Sequence, residues 1–550
     1  MSDGLKAHHR AAIIATLAAN HRVEKAVLFG SRAMGANTVT SDVDIALFGR
    51  QLTLTDQAKL AAACEELPMA QSVDLVLYST IDNPALVDHI RSHGVEWYRR
   101  GGRSGSEAVI GAYGAWQVVR LEKLASNEPG SIAIGPFGSR MKSSVYTPFG
   151  VPVIRGTNIS ASRAWKNSWV YVSNDFADSL PNCNAHEGDL VFPHRGSIGE
   201  VAIVPNDKPR YMISTSLMKF RPDPEKVSAL FLFYYFRSSS GRNEIMKYSS
   251  QVGTPGIGQP LTSLRQFSVV VPPREEQKAI AHILGALDDK IELNRQMNET
   301  LEAMAKTLFK SWFVDFDPVR AKAEGRSTGL SDEISALFPD SFEDSEVGEI
   351  PRGWGVKRLS EIASFLNGLA LQKHPATNAE DSLPVIKIAE LRNGISAKTD
   401  KASRSIPKKY IVTDGDFLFS WSGSLMAQFW TGGEGTLNQH LFKVTSDQYP
   451  PWFFAGWVQF HLDEFRRIAA SKATTMGHIQ RSHLQAAMVS CPPDGVLMGL
   501  GAVIEPLVKR GILARLESRT LAEIRDVLLP GLVSGGIRLC EAEKVMEVVS

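Results

Sequence analysis

The sequence predicts an α/β multidomain protein: a small α/β domain, then two larger α/β domains separated by a pair of long antiparallel coiled-coil helices. Three observations support this fold class. A chain of 550 residues is too long for one hydrophobic core, at roughly 150 residues per domain. Everything after a Gly/Ser-rich segment occurs twice. Each of the two copies ends in a long helical pattern with heptad spacing.

The composition is that of a globular protein and excludes a disordered or collagen-like chain, since 43% of the residues are hydrophobic and 22% are charged. The 60 basic and 59 acidic side chains leave a net charge of +1. A surface that binds nucleic acid must therefore be a local basic patch, because the chain as a whole is not basic.

The cysteines and the apolar runs indicate a protein of the reducing cytoplasm. Cys64, Cys183, Cys491 and Cys540 form neither a CxxC metal pair nor a disulfide framework. The N-terminus has no apolar signal core, and the longest apolar runs fall well short of the roughly 18 residues that a membrane-spanning helix needs. We therefore expect a soluble, cytoplasmic protein with no membrane partner.

Residues 1–100 form the predicted small α/β domain. Apolar runs and turn signals predict, in order, a helix over Lys6–Ala19, strands over Ala26–Phe29 and Val43–Phe48, a helix over Leu54–Leu67 and a strand over Val73–Tyr78. The Gly and Ser residues at 101–106 suit a flexible linker, which we expect to span residues 101–112.

The rest of the chain is an internal duplication. Four segments return in the same order: WQVVRLEKLA (116–125) as WGVKRLSEIA (354–363), VPVIRGTNIS (from 151) as LPVIKIAELR (from 383), EGDLVFPHRGSIG (from 187) as DGDFLFSWSGSLM (from 414), and FSVVVPP (ending at 273) as AMVSCPP (ending at 493). So long a period indicates a duplicated domain and not a solenoid repeat. We expect the two domains to cover residues 113–273 and 351–493.

Each copy closes with a helix whose seam alternates steps of four and three residues. The first seam contains Ile280, Leu284, Leu287, Ile291, Asn294, Asn298, Leu301, Ala305, Leu308 and Trp312, and the second, 220 residues later, contains Leu500, Leu521, Leu528 and Leu532 among others. We expect helices over 274–316 and 494–532, joined by a connector (317–350) and followed by a tail (533–550). Seams of about 33 residues run about 50 Å, so an antiparallel pair would hold the two domains apart. The alternative is two unrelated amphipathic helices, each packed on its own domain.

Corresponding parts of the two copies carry basic segments. Residues 131–170 contain five basic residues and no Asp or Glu: Arg140, Lys142, Arg155, Arg163 and Lys166. Residues 373–409 contain eight basic residues against four acidic ones, and Lys373, Lys387, Arg392 and Lys398 lead this series. A solvated surface is the usual meaning of one such run. Two runs at matching positions, among Gly-rich loops, predict contacts with DNA phosphates and base edges.

Several strings in this region resemble the specificity subunit of type I restriction-modification systems. PPREEQKAIA (272–281) opens the first helix, KSWFVDFDP (310–318) closes it, and FPDS (338–341) with GEIPRGW (348–354) leads into the second copy. The resemblance covers residues 113–540 and implies two target-recognition domains, each of which reads one part of a bipartite site in double-stranded DNA. It also implies methyltransferase subunits around the helices, a restriction subunit that joins them, and a role in phage defence.

Two catalytic motifs of such a complex are missing from the sequence. It has no Asn/Asp-Pro-Pro-aromatic motif for base methylation and no GxxxxGK[ST] phosphate loop for a DNA motor. We therefore expect recognition without catalysis, and no cofactor, in this part of the chain. The second helix opens with PPDG (492–495) and lacks the Glu-Gln signature of the first, so that end is expected to contact partners less symmetrically.

Three carboxylates in the first domain form a candidate catalytic metal site. Asp42 and Asp44 project side by side, because positions i and i+2 of a strand face the same way, and Asp74 lies on another predicted strand. Such carboxylates hold Mg²⁺ together with phosphate oxygens, and the ion neutralises a triphosphate and polarises an attacking hydroxyl. Gly30 lets the backbone approach the phosphates, and the Ser31 hydroxyl can donate to them.

This arrangement resembles the minimal nucleotidyltransferases of the polymerase-β superfamily, whose Gly-Ser and Asp-x-Asp pattern is carried by Gly30, Ser31, Asp42 and Asp44. The resemblance implies that Asp74 is the third carboxylate, which ligates metal and activates the incoming hydroxyl. It implies Mg²⁺ and ATP as cofactors and AMP as the transferred group. A protein tyrosine or a tRNA end would be the acceptor, and nothing in the sequence chooses between them.

The remaining candidates carry weaker signals. Arg32 is a candidate nucleotide contact, and the His194-Arg195 pair lies in a loop that could reach a phosphate. His478 and His483 lack acidic or thiol companions, so we do not expect a metal site there. Trp421, Trp430, Trp452 and Trp457 could stack on bases, but core packing is the commoner use.

Two other functional classes stay open at this point. One is a binding protein whose first domain is inert, a degenerate nucleotidyltransferase retained for binding. The other is a regulatory nucleotidyltransferase whose C-terminal part binds RNA or protein and not duplex DNA.

Overall fold

The protein is described here by a computed structural model that covers residues 5, 7–20, 22–34, 41–49, 52–65, 72–81, 83–99, 116–137, 140–160, 163, 165, 169–250, 256–378, 380–471 and 477–549. The chain divides into two compact units, residues 1–107 and 108–550. The expected linker at 101–112 and the basic residue Lys166 lie outside the described residues. Among the described helices, none combines the length and the apolar character needed to cross a bilayer.

The first unit contains a four-stranded sheet with helices. Its elements are α1 (Ala7–Ala19), β1 (Lys25–Phe29), α2 (Gly30–Ala33), β2 (Val43–Phe48), α3 (Leu54–Glu65), β3 (Val73–Leu77), α4 (Pro84–His93) and β4 (Val95–Arg99). The strand order is β3-β2-β1-β4, in which β2 and β3 run parallel and the other neighbours antiparallel. Side chains of α1 and α3 pack with strand residues in a core that includes Ile13, Leu17 and Leu60.

The sequence prediction of this unit stops too early. Strand β3 ends at Leu77 because Tyr78 begins a short 3₁₀ turn, and α4 and β4 were not predicted. The signal for α4 was present in the sequence: Asn83 caps the helix by accepting from the amides of Ala85 and Leu86, and Pro84 occupies the first turn.

The second unit begins with a domain that we call the first head. Its elements are β5 (Gln117–Arg120), β6 (Ile132–Ile134), β7 (Tyr146–Thr147), β8 (Val151–Ile154), β9 (Val170–Val172), α5 (Asn174–Asp178), β10 (Asn184–Ala185), β11 (Leu190–Pro193), β12 (Ala202–Ile203), β13 (Tyr211–Ile213), β14 (Leu217–Phe220), α6 (Ala229–Arg237), α7 (Ser239–Met246), β15 (Ser249–Ser250), β16 (Gly256–Ile257), α8 (Pro260–Gln266) and β17 (Ser268–Val271). Its two larger sheets have the orders β10-β13-β8-β9-β7 and β12-β11-β14-β6.

A long helix and a connector follow the first head: α9 (Arg274–Phe313), α10 (Asp317–Ala323), α11 (Asp332–Ser335), β18 (Phe342–Ser345) and β19 (Gly348–Pro351). The second head then contains β20 (Gly355–Arg358), α12 (Leu359–Ile362), β21 (Ser364–Asn367), β22 (Ser382–Ile386), α13 (Ile388–Asn393), β23 (Lys401–Ser403), β24 (Ile411–Val412), β25 (Phe417–Ser420), β26 (Ala427–Phe429), β27 (Gly435–Leu437), β28 (Leu441–Thr445), α14 (Pro451–Ser471), α15 (Arg481–Ala486) and β29 (Met488–Cys491). The chain closes with α16 (Asp494–Ser534) and α17 (Leu539–Val549).

The two heads share one framework, as the duplicated sequence predicts. In each head the first strand pairs antiparallel with the last, β5 with β17 and β20 with β29. The second echo lies on strands that pair in parallel, β8 with β13 and β22 with β27. The third echo lies on β11 and β25, which pair antiparallel with β14 and β28. All four echoes therefore occupy equivalent strands.

Helices α9 and α16 pack against each other in antiparallel orientation, which confirms that prediction. Asp288 of α9 contacts Arg525, whereas Asn294, further along α9, contacts Glu517, which comes earlier in α16. The helices have 40 and 41 residues, so each runs about 60 Å. Helix α9 ends at Phe313, three residues before the predicted end, and α16 continues to Ser534, two residues beyond it.

Each end of the helix pair is buried in the core of one head. The core of the first head includes the predicted seam residues Ile280, Leu284, Leu287, Leu521 and Leu528, with Ile291 packed against it. The core of the second head includes Phe309, Trp312, Leu500 and Ile504, with Leu308 packed against it, while Leu301 is half-buried between the two ends. Neither helix packs on its own head alone, so the alternative of two unrelated helices does not hold.

Candidate functional site

A candidate nucleotide site lies at one edge of the sheet in the first unit. Strand β1 runs directly into α2, and its last residue, Phe29, pairs with Asp44 in the register of β1 and β2. Asp44 also pairs with Asp74 across the parallel strands β2 and β3. Asp42 comes two positions before Asp44, so it projects from the same side of the chain. The fold therefore brings the three predicted carboxylates to one edge.

Gly30 is required where β1 turns into α2. Its φ of +73° lies in the left-handed region, and a Cβ added there would lie 2.3 Å from Oδ2 of Asp44. The backbone of the Gly30-Ser31 pair thus comes up against a candidate catalytic carboxylate. The sequence pattern predicted a phosphate site here because Gly30 allows such a close approach of the backbone.

The carboxylates influence one another electrostatically. Burial raises the pKa of Asp44 above its ordinary value, the negative charges of Asp74 and Asp42 raise it further, and Arg32 and His89 oppose the shift. Asp44 is half-buried, whereas Asp42 and Asp74 are exposed, and a cation would stabilise the negative charge of these three carboxylates. Among the described residues, however, no three His, Cys, Asp or Glu side chains come close enough to hold a metal ion by themselves. A Mg²⁺ ion would need oxygen ligands from a bound phosphate to complete its shell.

Arg32 has a different place from the one that the sequence suggested. A phosphate contact requires a side chain that reaches solvent, but Arg32 is only 1% exposed. Its Nε donates to the backbone carbonyl oxygens of Ser41 and Asp42, each at 3.0 Å. The structure therefore revises the prediction, since Arg32 supports the backbone that carries Asp42.

His89 was missed by the sequence analysis. It lies on α4, and its Nε2 accepts a hydrogen bond from the amide of Gly30 at 3.2 Å. The imidazole therefore contacts the Gly-Ser turn beside Asp44. The prediction stopped at β3, before the helix that delivers this side chain, and a lone His on an unpredicted helix offered no other signal.

In the first head, three loops meet at one turn, Ser214–Ser216, which we call the first central turn. The amide of Ser214 donates to the carbonyl of Ile154 at 2.9 Å, and the amide of His194 donates to the carbonyl of Ser216 at 2.9 Å. Just after the turn, Leu217 accepts from the amide of Gly135, also at 2.9 Å. The segments that carry Arg155, Arg195 and Arg140 are therefore all anchored at the first central turn.

The second head repeats this arrangement at Asn438–His440, the second central turn. The backbone carbonyl of Ile386 accepts from the amide of Asn438 at 3.2 Å. The carbonyl of His440 accepts from the amide of Trp421 at 3.3 Å, and the carbonyl of Leu441 accepts from the amide of Gly368 at 3.1 Å. These are the same three bonds at equivalent positions. The sequences Ser-Thr-Ser and Asn-Gln-His do not resemble each other, so the sequence comparison could not find the turns.

The predicted DNA-binding residues divide into exposed and paired side chains. Arg140, Lys142, Lys373, Arg392 and Lys398 are exposed, and Arg155 is half-buried at the end of β8. Two others form ion pairs within the chain, which the sequence could not show: Arg163 contacts Asp289 of α9 at 2.6 Å, and Lys387 contacts Asp400. Arg163 thereby joins the basic segment of the first head to the helix pair. Its predicted DNA contact would require this ion pair to break.

Several weaker candidates belong to the structural framework. His194 is 4% exposed, its Nε2 lies 3.0 Å from the carbonyl of Thr215, and burial lowers its pKa. Trp430, Trp452 and Trp457 are buried, which confirms core packing for these three indoles. The four cysteines are free thiols, and Cys540 alone among them is exposed.

Two matched heads at opposite ends of an antiparallel helix pair, each with basic loops around one turn, define a two-headed recognition protein. The carboxylate edge of the first unit adds a nucleotidyltransferase-like domain. A family model described as "Type I restriction modification DNA specificity domain" matches residues 134–303 and 351–496, and one described as "Polymerase beta, Nucleotidyltransferase" matches residues 11–101. The chain therefore belongs to the type I restriction-modification specificity family and carries an N-terminal nucleotidyltransferase domain.

Individual relatives agree with both matches. The HindI specificity subunit of Haemophilus influenzae is 29% identical over 403 residues, which cover 64% of this chain and 87% of the relative. The Methanocaldococcus jannaschii "Putative protein adenylyltransferase" is 36% identical over 77 residues, which cover 14% of this chain and 81% of the relative. A crystal structure of the type I S subunit from M. genitalium aligns over 78% of this chain and 98% of its own, with 14% identity and a TM-score of 0.47.

Proposed function

We propose that this specificity subunit reads a bipartite target in double-stranded DNA, with one head on each half of the site, and directs methylation and cleavage by partner subunits. The heads correspond to residues 113–273 and 351–493. The observation that carries the proposal is the placement of the two heads at opposite ends of one antiparallel helix pair. A stiff helix pair about 60 Å long, with one reader at each end, fixes the number of base pairs between the half-sites.

Within each head, phosphate contacts and base contacts have separate sources. Exposed basic side chains such as Arg140, Lys142, Lys373, Arg392 and Lys398 bind the DNA backbone and set the register. Arg155 and Lys387 sit at matching positions beside the two central turns and add to this set. Since the framework is shared and the loops differ, the two heads read different short sequences.

The helix pair also supplies a surface for partners. Five large apolar side chains on α9 and α16 are exposed, among them Leu293 (58%) and Val527 (70%), with Met304, Met498 and Leu513 as the others. Burying them against helices of methyltransferase subunits removes apolar area from water. A restriction subunit joins that assembly. We place the complex in the cytoplasm, where its DNA substrate is found, in a role of phage defence.

The test of this proposal is a genomic methylation map. Cells that contain the methyltransferase partner are compared with and without this chain. The expected result is a motif of two defined sequences separated by a fixed number of undefined bases, present only with the chain. A map that does not change would refute the specificity role and favour the alternative in which the C-terminal part binds RNA or protein.

We further propose that the first unit transfers AMP from ATP to a hydroxyl group. Asp42 and Asp44 would hold Mg²⁺ together with phosphate oxygens, and the ion would neutralise the triphosphate when bound. The Ser31 hydroxyl and the backbone at Gly30 position the phosphates. Asp74 accepts the proton of the acceptor hydroxyl, whose oxygen bonds to the α-phosphorus while pyrophosphate leaves. The carboxylate edge of the sheet supports this proposal.

Incubation of the full chain with α-labelled ATP and Mg²⁺ tests the transfer. Label should enter an acceptor, protein or RNA, with the wild-type chain and disappear with Asp42→Ala or Asp44→Ala. Absence of label from every acceptor in a cell extract would support the alternative, an inert first domain.

A further inference from the structure

We propose that Arg195 reads a guanine in the half-site of the first head, and that the matching position of the second head, Ser422, is closed to DNA. This inference rests on the proposed function of the heads as DNA readers. It deepens that function by assigning one base-reading side chain. The two residues are equivalent because each follows the residue, His194 or Trp421, whose amide donates to the central turn of its head.

The backbone at Arg195 is held in place from both sides. His194 is buried and bonded to the first central turn through its amide and its ring. The carbonyl of His194 accepts from the amide of Ile257 at 2.9 Å, and Arg195 itself forms a β-bridge with Gly256. On the other side, Gly196 adopts a φ of +82° that a side chain would disfavour. The Cα of Arg195 is therefore fixed before DNA arrives.

The side chain of Arg195, in contrast, is uncommitted. It is exposed, and its guanidinium forms no hydrogen bond or ion pair with any residue that the structure describes. Other arginines of the same head are paired, such as Arg163 with Asp289 and Arg221 with Asp189. A fixed backbone with a free guanidinium suits bidentate donation to O6 and N7 of guanine, which is the commonest specific contact of arginine in the major groove.

Ser422 occupies the same framework position but faces inward. It is 3% exposed, and its hydroxyl lies 2.9 Å from Nδ1 of His440 in the second central turn. Its β-bridge to His478 matches the bridge between Arg195 and Gly256. A short hydroxyl already bonded within the head cannot reach a base edge. One scaffold position is thus open in the first head and closed in the second, which gives the heads different readouts.

The experiment is a methylation map of complexes that contain the full chain as wild type, Arg195→Ala, Arg195→Lys or Arg140→Ala. With Arg195→Ala we expect preference for G at one position of one half-site to fall by about 5- to 150-fold, with the other half-site and the gap unchanged. Arg195→Lys should not restore that preference, because an ammonium lacks the planar fork of donors. Arg140→Ala, the phosphate control, should lower methylation without changing the motif.

Three results would overturn the inference. If Arg195→Ala lowers methylation at an unchanged motif and Arg195→Lys restores it, Arg195 is a phosphate contact. If Arg195→Ala changes neither level nor motif, the residue does not touch DNA. A wild-type map without any bipartite motif would overturn the proposed function and this inference together, and it is distinguishable because it appears before any substitution is made.

Discussion

Arg525 of α16 donates to Asp288 of α9 across the helix seam, with 2.7 Å between Nη1 and Oδ1 and both side chains buried. The hydroxyl of Tyr234, on α6 of the first head, donates to the other carboxylate oxygen at 2.8 Å. One carboxylate thus joins both helices and the first head. Apolar layers of a helix pair tolerate a slip of one heptad, whereas a buried polar layer fixes the register.

Breaking this polar layer should destabilise the protein. Asp288→Leu leaves a buried guanidinium without its main partner, and we expect a cost of about 3 kcal/mol, seen as a lower thermal unfolding midpoint. This cost is at the low end of what breaking a buried ion pair usually takes, because Arg525 keeps a second partner, Asp526. The double variant Asp288→Leu/Arg525→Leu should recover part of the loss, because the guanidinium that loses Asp288 is removed with it, whereas the hydroxyl of Tyr234 still loses its acceptor. An unchanged midpoint in the single variant would contradict this role.

Removing the charge of Asp44 should abolish transfer and stabilise the first unit. Label transfer from ATP with Asp44→Asn should fall by at least about 100-fold, because a metal ligand is lost. The pKa of Asp44 is raised in the folded chain, so ionisation of this carboxyl destabilises the fold. This destabilisation is fully present above the raised pKa and disappears as the pH falls below the ordinary pKa of an aspartate. Hydrogen exchange in β2 should therefore slow in Asp44→Asn at neutral pH but not in acid.

The control for that experiment is Asp88→Asn, an exposed carboxylate on α4. It should leave both transfer and exchange unchanged. Transfer that survives in Asp44→Asn, with the Asp88→Asn control behaving as expected, would remove Asp44 from the mechanism.

Asp381 should organise the basic segment of the second head over a wide pH range. It accepts from the hydroxyls of Ser403 and Ser405 at 2.8 and 3.0 Å, and these hydrogen bonds, led by that of Ser403, lower its pKa to about 2. Because the pKa of Asp381 is lower in the folded chain than in the unfolded chain, its ionised form stabilises the fold above about pH 4. This stabilisation is lost as the pH falls through about 2. We expect exchange protection of Lys401–Ser403 to persist at pH 4 and to decline only below it.

The matching substitution is Asp381→Asn, which should reduce this protection already at pH 7, because the amide accepts these hydrogen bonds more weakly than a carboxylate. Asp447→Asn, at an exposed site of the same head, serves as the control. Equal protection in Asp381→Asn and the wild type at pH 7 would show that the carboxylate does not hold the segment.

The exposed apolar side chains of the helix pair should mark the contact with methyltransferase subunits. Leu293→Asp places a charge where a partner helix is expected, and we predict that affinity for the methyltransferase subunit falls by at least about 10-fold, measured by calorimetry. Lys306→Glu on α9 is the control, because Lys306 lies about 140° around the helix axis from Leu293. A loss that is larger for Lys306→Glu than for Leu293→Asp would place the partner on the other face.

The sequence predicted the framework of this protein because the framework follows from spacing within a segment and from similarity between segments. Heptad spacing from Ile280 to Trp312 predicted the helix pair, echoes on β-strands predicted the two heads, and the spacing of Asp42 and Asp44 at the start of one strand predicted the carboxylate edge. Each of these patterns is visible in the sequence itself, either along one segment or as a match between two segments. The interpretation therefore did not depend on knowing which distant parts of the chain meet.

The parts that escaped prediction depend on contacts between distant residues. The ion pair of Arg163 joins positions 126 residues apart, and nothing near Arg163 in the sequence announces Asp289. The burial of Arg32 follows from the path of the backbone at Ser41, and His89 reaches Gly30 only because α4 packs beside β1. The central turns share hydrogen bonds and not side chains, so no sequence comparison could align them.

The most direct test of the two-headed spacer is the dependence of binding on the gap between the half-sites. Affinity of this chain with its methyltransferase partner is measured on duplexes that keep both half-sites and change only the gap, by one or two base pairs either way. A rigid helix pair predicts a sharp optimum at the native gap, with at least about 10-fold weaker binding on either side, because each added base pair shifts one half-site by about 3.4 Å. Equal affinity at every gap would contradict the claim that the helix pair sets the spacing.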